Sequence, residues 1–358
     1  MLVVDGHLDL AMNALQLNRD LLTSAHTIRS NELGTPGVGR AQGSVALPDM
    51  RRGKVAVSFA TVFARSSGQA VAHRDYASPT QAYAIAQAHL AYYRALESAG
   101  HVRILEDNAS LTAHMRQWEE WDSGEIAGDG PPLGLVIAME GADPLLTPES
   151  IEEWHSAGVR IASVSHDGVG RFAGGAGSAV GITPLGARLL PMMARLGVVL
   201  DLSHASDRTF DDALQLFPGP VLASHSNCRS LIPHPRLLTD RQLSAIVERN
   251  GVVGVSMTGW QLRPGRRVGR SDEPRASLAD FIDHIDHICQ LAGNALQVGI
   301  GSNLAAALAR EDYPVDIDTI SDLQAVSGAL AARGYSDADV SAVMHGNWLR
   351  LLDDAWGR

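Results

Sequence analysis

The sequence predicts a (β/α)8 TIM barrel with an insertion after strand two, and three observations carry that expectation. Eight short apolar runs recur along the chain, at residues 2–5, 55–63, 134–139, 159–164, 198–202, 220–224, 252–257 and 296–300. Most are near-continuously apolar and rich in Val and Ile, as in strands buried on both faces of a parallel sheet. The segments between them space their apolar residues by three and four, at 81–96, 185–195, 240–249 and 278–291, which is the pattern of helices with one buried face. Alternation of this kind repeated eight times closes a barrel. The other parallel solution, an open doubly wound sheet, lacks support because no Gly-rich phosphate loop follows the first run.

Two stretches break the rhythm. Residues 10–54, with Pro36, Gly37, Gly39 and Gly43, read as an irregular loop after strand one. Residues 64–132 read as an insertion with one or two helices, with Trp118 and Trp121 exposed near Gly128-Asp129-Gly130-Pro131. Insertions after barrel strands lie over the active face, so at least one of these is expected to shape a pocket. Residues 337–356 read as a closing helix.

Bulk properties narrow the class. With 358 residues, 45% of them hydrophobic, the chain can bury a large core, and one domain over residues 1–358 is expected. A net charge of −11 with no basic run argues against nucleic acid or an anionic membrane as partner. Cys228 and Cys289 are too few for a disulfide framework. A first strand at residue 2 leaves no room for a signal peptide, and no apolar stretch spans a bilayer. The expectation is a cytoplasmic protein that acts on a small molecule, with homo-oligomer formation left open.

The chemistry-bearing residues sit where the runs end. His7 and Asp9 are two apart at the end of strand one, so both side chains fall on the same side of the strand and can share an ion. Glu140 follows five apolar residues, where a carboxylate is costly to bury unless paired or metal-bound. His166, His204 and His225 end three consecutive strands, and imidazole with carboxylate suits zinc or a similar divalent ion. A lone His-x-Asp or a lone buried histidine is ordinarily structural; the combination on strand ends is not. The economical arrangement is binuclear, with His7 and Asp9 on one zinc, His204 and His225 on the other, and Glu140 between them. Two such ions activate water and polarise a carbonyl.

The segments Asp5-Gly6-His7-Leu8-Asp9-Leu10, Met139-Glu140-Gly141-Ala142-Asp143, Val164-Ser165-His166, Asp201-Leu202-Ser203-His204 and Ser224-His225-Ser226-Asn227 together resemble the membrane (renal) dipeptidase family of amidohydrolase-like metallo-barrels. The resemblance runs to Met344-His345-Gly346-Asn347-Trp348-Leu349-Arg350. It implies zinc-dependent hydrolysis of dipeptides or similar small amides and the same five metal ligands. It also implies that His166 contacts the substrate carbonyl or oxyanion and that Arg236 binds a substrate carboxylate, for which a guanidinium fork is well shaped.

One segment departs from the family pattern. Gly-Ser-Asp, an apolar residue, then Asp-Gly is replaced by Gly301-Ser302-Asn303-Leu304-Ala305-Ala306. The resemblance places a proton-transfer aspartate at 303 that also contacts the substrate's amino group. Asn303 donates and accepts hydrogen bonds but exchanges no proton near neutrality, and loss of a general acid–base group costs about 10²–10⁴ in rate. Glu311 and Asp312 are expected on the helix beyond the loop and give no rescue. Two alternatives stand beside dipeptide hydrolysis: a metal-loaded relative that binds a ligand without efficient turnover, and a hydrolase for substrates with a good leaving group. His284, Asp286 and His287 are expected to pack the outer layer, Ser203 and Ser224 form no nucleophile elbow, and Trp260 and Arg263 line or cover the pocket.

Overall fold

The structure, a computed structural model, describes residues 1–37, 39–67, 75–268, 272–305 and 310–357. Every one of the eight apolar runs contains a strand. In chain order the strands are β1 (Val3–Leu8), β2 (Val55–Phe63), β3 (Val102–Ile104), β4 (Leu133–Glu140), β5 (Val159–Ala162), β6 (Val199–Asp201), β7 (Val221–Leu222), β8 (Val253–Val255) and β9 (Val298–Ile300). Eight of them run parallel in the order β7-β6-β5-β4-β2-β1-β9-β8. A parallel bridge between Ala223 and Val253 joins the two ends and makes a nearly closed barrel. The longest ladder pairs β2 with β4, from Val57 opposite Gly134 to Phe63 opposite Glu140. Both strands are buried along their whole length, as their unbroken apolar sequences require.

The ninth strand was not expected from the sequence. β3 pairs with the first three residues of β4, Leu133 to Leu135, while β5 takes the same edge further on, from Ile137 to Met139. Thus β3 stands outside the barrel, as part of the insertion. The insertion also holds two helices, Pro79–Ser98 and Asn108–Asp122. Residues 68–74 of it lie outside the described residues. Trp118, expected to be exposed, is fully buried, and its Nε1 donates to the Pro132 carbonyl at 3.0 Å. Leu111, Met115 and Trp118 share the buried face of their helix, so the tryptophan anchors the helix rather than decorating it. Trp121 is half-buried.

Residues 10–54 are also more ordered than the Gly and Pro content suggested. They contain helices Leu10–Leu15, Ala25–Asn31 and Leu47–Arg52, tied by a buried ion network. Arg19 reaches Glu32 at 2.8 Å, and Arg40 reaches the same carboxylate at 2.8 Å.

The closing helix is present in three continuous pieces, Asp337–Ser341, a π turn over Ala342–Gly346, and Asn347–Trp356. Its Trp348 is fully buried and donates from Nε1 to the Ile300 carbonyl at 2.9 Å. A Cβ on Gly6 would fall 2.7 Å from the Trp348 ring, one on Gly254 2.9 Å and one on Gly299 2.5 Å. Barrel interiors are ordinarily filled by side chains from the strands themselves. Here glycines on β1, β8 and β9 leave the space to an indole from the last helix. No described helix is long and apolar enough to cross a membrane.

Candidate metal centre

Parallel strands deliver their C-terminal residues to one rim, and that is where the predicted site residues meet. His7 and Asp9 come from the end of β1, Glu140 from β4, His166 from the loop after β5, His204 from after β6 and His225 from after β7. Glu140 lies at the centre. Its Oε1 is 3.1 Å from His204 Nε2, 3.5 Å from His7 Nε2, 3.6 Å from His225 Nε2 and 3.7 Å from His166 Nε2. His7 Nε2 is 3.7 Å from Asp9 Oδ1. Burial pushes the Glu140 carboxyl up, but the neighbouring imidazoles, His7 foremost, outweigh it and hold the group well below the usual carboxylate range.

The proton positions can be derived from the neighbours. Asp167 is a carboxylate, so His204 Nδ1, 2.9 Å from its Oδ1, must donate. The Ser224 hydroxyl donates to Asp201, so it accepts from His225 Nδ1 at 2.8 Å. In the neutral rings this leaves Nε2 of both histidines as a lone pair. Those two atoms are 3.0 Å apart, and both face the Glu140 carboxylate. Three acceptors therefore converge carrying no proton of their own, with Arg236 Nη2 donating to His204 Nε2 at 3.1 Å, while His7 Nε2 is buried without a hydrogen-bond partner among the described residues. Such a cluster is repulsive unless a cation occupies it. The donor set of imidazole nitrogen and carboxylate oxygen fits a divalent ion of the zinc type. Two overlapping groups, His7 with Glu140 and His225, and Glu140 with His166 and His204, each bring their ligand atoms within 4.8 Å of one another.

A cavity of about 780 Å³ opens above this cluster, lined among others by Phe63, Arg65, Asp167, Arg236, Trp260 and Asn303. Arg236 is buried and donates to the Ser203 and His225 carbonyls and to His204 Nε2, the last at 3.1 Å. It braces the ends of β6 and β7 as well as facing the cavity. His166 stacks on His204, with ring centroids 4.0 Å apart; burial, followed by the neighbouring His204, lowers its pKa to about 3, so the ring is neutral.

Asn303 adopts a left-handed backbone with φ of 56°, a conformation asparagine tolerates better than most residues. Its Nδ2 is 3.4 Å from Thr258 Oγ1, and its Oδ1 is buried without a partner among the described residues. Ala306 lies outside the described residues. Glu311 and Asp312 fall on a 3-10 turn, Arg310–Asp312, rather than a helix, and Asp312 turns to Arg266 at 3.4 Å instead of the cavity.

Several participants were not singled out from the sequence. Asp167 fixes the His204 tautomer, Asp201 holds Ser203 and Ser224, Thr61 donates to Asp9 Oδ1, and Arg65 lines the cavity. The signal for Asp201 was present, since it ends β6 three residues before His204; Thr61 gave none. Ser203 and Ser224 donate to Asp201 and so position ligands rather than act as nucleophiles. His284 accepts from the Cys228 N–H at 3.1 Å, His287 meets Asp240 at 2.8 Å and Asp286 meets Tyr335 at 2.7 Å, all in the outer layer. Trp260 lines the cavity, whereas Arg263 is exposed and lies 3.9 Å from Asp280.

Known proteins resemble this chain in sequence and in fold. A Klebsiella pneumoniae protein described only as uncharacterized, in the pqqA 5′ region, is 32% identical over 234 residues, 63% of this chain and 83% of that one. Dipeptidase tcpJ of Claviceps purpurea is 27% identical over 61% of this chain and 50% of its own length. The chain thus spans about half the length of the curated dipeptidases it matches. A Rhodobacter sphaeroides metallopeptidase, solved with a phosphinate mimic of the dipeptide L-Ala-D-Ala, superposes with a TM-score of 0.76 at 26% identity, covering 99% of both chains. The family model for membrane dipeptidase, peptidase family M19, matches residues 1–356, and the chain belongs to that family.

Proposed function

We propose that this protein hydrolyses the amide bond of dipeptides or similar small amides, using two zinc ions held by His7, Asp9, Glu140, His204 and His225. The observation that carries the reading is the convergence of imidazole lone pairs on Glu140 at the floor of a cavity that also holds a buried arginine. When bound, the metal pair supplies an activated water and a polarised carbonyl. The rest falls to the chain. Arg236 takes the substrate carboxylate through its guanidinium fork. The neutral His166 donates a hydrogen bond to the carbonyl oxygen as charge develops there. Asn303 offers a donor and an acceptor to the acyl half. Asp167 and Ser224 keep His204 and His225 in the tautomer that turns Nε2 to the ion, as outer partners of metal-bound histidines do.

The test is metal content with turnover. The purified, metal-replete chain should carry close to two divalent ions and hydrolyse members of a small-amide library. Absence of metal in elemental analysis, with no thermal shift on adding zinc, sinks the site.

A second reading is favoured by one observation. The resemblance puts an aspartate where Asn303 stands, and each carboxylate lining the cavity among the described residues is already engaged. Activated esters, whose leaving group needs no proton, would then be turned over readily and dipeptides slowly, and Asn303→Asp would raise only the latter, by about 10²–10⁴.

A further inference from the structure

The charge distribution around the cavity bears on which substrates fit. Its carboxylates, among the described residues, are Asp9, Glu140 and Asp167. Asp9 accepts from Thr61 and faces His7, Glu140 is ringed by four imidazoles, and Asp167 is held by His204. Each is committed to the metal centre or to a ligand of it. The cations lining the same cavity are Arg65, Arg236, Arg266 and Arg267, of which Arg266 is buried against Asp312, Arg267 meets Glu273 at 2.7 Å and Arg65 lies 3.7 Å from Asp75.

The rim made by the ends of β8 and β9 is uncharged, built from Thr258, Trp260, Gln261 and Asn303. It is nevertheless polar. Among the described residues neither the buried Asn303 Oδ1 nor the buried Gln261 Oε1 has a hydrogen-bond partner, so what this side of the cavity presents is neutral amide rather than carboxylate. A free α-ammonium entering this space meets neutral amides and the Arg236 guanidinium, and among the described residues no lining carboxylate that is not already committed. Removing such a cation from water without a counter-charge is unfavourable, and like charges add to the penalty. An uncharged acyl group carries neither cost, and a free carboxylate at the other end still finds Arg236.

Resting on the hydrolase reading above, we infer that the site selects N-acyl amino acids, with a free carboxylate and an uncharged acyl half, over dipeptides with a free α-amino group. Amide cleavage by water then yields a carboxylic acid and an amino acid, with no other reactant required.

The test uses isosteric pairs, propionyl-Xaa against alanyl-Xaa, over a panel of L- and D-residues with the metal-replete chain. The propionyl compound should be favoured in kcat/KM by about tenfold or more, the discrimination expected when a cation is desolvated without a partner. Equal or faster hydrolysis of the alanyl compound overturns the inference while leaving the hydrolase reading intact. Titration calorimetry of the same pairs on the metal-free chain separates the two ideas. If neither compound is cleaved, the hydrolase reading falls, and the ratio of binding constants still decides the preference. Tighter binding of the propionyl compound supports it, and tighter or equal binding of the alanyl compound overturns it. Asn303→Asp supplies a counter-charge and should shift the ratio towards alanyl by about tenfold; an unchanged ratio shows that residue 303 does not set the preference.

Discussion

Replacing Gly299 by alanine tests the packing beneath the metal centre. The added Cβ would sit 2.5 Å from Trp348 Nε1 and 2.9 Å from Cε2, closer than carbon atoms approach, so the ring must move. Movement disturbs the bond to the Ile300 carbonyl at 2.9 Å and the edge contact with Phe59 at 5.0 Å. Overpacking of this kind costs about 1–3 kcal/mol, and weakening the hydrogen bond adds about 1 kcal/mol. The smaller conformational freedom of alanine in the unfolded chain returns about 0.4–1 kcal/mol. The net expectation is a loss of about 1–3 kcal/mol. Trp348→Ala alone should cost about 3–5 kcal/mol, but it empties the space that the new methyl needs. In that background Gly299→Ala should be neutral or slightly stabilising, a coupling of about 1–3 kcal/mol. Urea unfolding of the four proteins at one fixed free-metal concentration reads the cycle, because bound metal stabilises the fold by mass action. Costs that add to within about 0.5 kcal/mol, or a neutral Gly299→Ala in the parent protein, would show that the indole does not fill the barrel as described.

Asp201→Asn leaves the shape at the end of β6 but weakens the hold on Ser224 and, through it, on His225; metal affinity should fall about 10–100-fold in a chelator competition, and an unchanged affinity contradicts the role. Arg236→Lys keeps the charge and loses the fork, so KM for substrates with a free carboxylate should rise by the equivalent of about 1.5–3 kcal/mol. Rates are to be normalised to bound metal, since Arg236 also touches His204; an equal rise for amidated substrates counts against carboxylate recognition. A fourth prediction concerns acid. His89, His114 and His284 lie away from the metal ligands, and burial lowers each pKa from 6.5 to about 4. The unfolded chain therefore binds more protons between those values, so stability is intact above pH 6.5 and is lost as pH falls towards 4. His114→Gln should lose about 2 kcal/mol less than the parent between pH 7 and pH 5; identical losses refute the assignment.

What the sequence disclosed follows from which signals are local. β2 and β4 are long and buried on both faces, so their apolar runs mark them almost to the residue. β7 is only two residues long, and its run is longer than its ladder because the chain stays buried beyond the last paired residue. β3 has three residues, one of them Arg103, too few for a period, and its pairing depends on an edge of β4 more than thirty residues away. The helices within residues 10–54 are six or seven residues long, shorter than two turns of repeating pattern. Their order comes from the Arg19–Glu32–Arg40 network, which no spacing announces. The metal ligands were legible because a barrel sends every strand end to one rim, so position along a strand becomes position in space. Asp167 and Thr61 were not, because what defines them is the side chain opposite, on another strand. Trp118 misled because a nearby Gly-Pro turn outweighed its place on an amphipathic helix.

The pairing of β1 with β9 also sets an order of events during synthesis. Asp5 stands opposite Ile300 across that ladder, so the first strand made waits for a partner nearly three hundred residues behind it. β2 can cover one edge of β1 early, but the other edge stays open until the final strand emerges. The Trp348 indole, which fills the interior beside Gly6, arrives later still. A nascent chain therefore carries an apolar strand with an unpaired edge until β9 is made, a state prone to association with other chains. His7 and Asp9 are made before the other ligands and His225 more than two hundred residues after them, so the full ligand set is assembled only once β7 has followed.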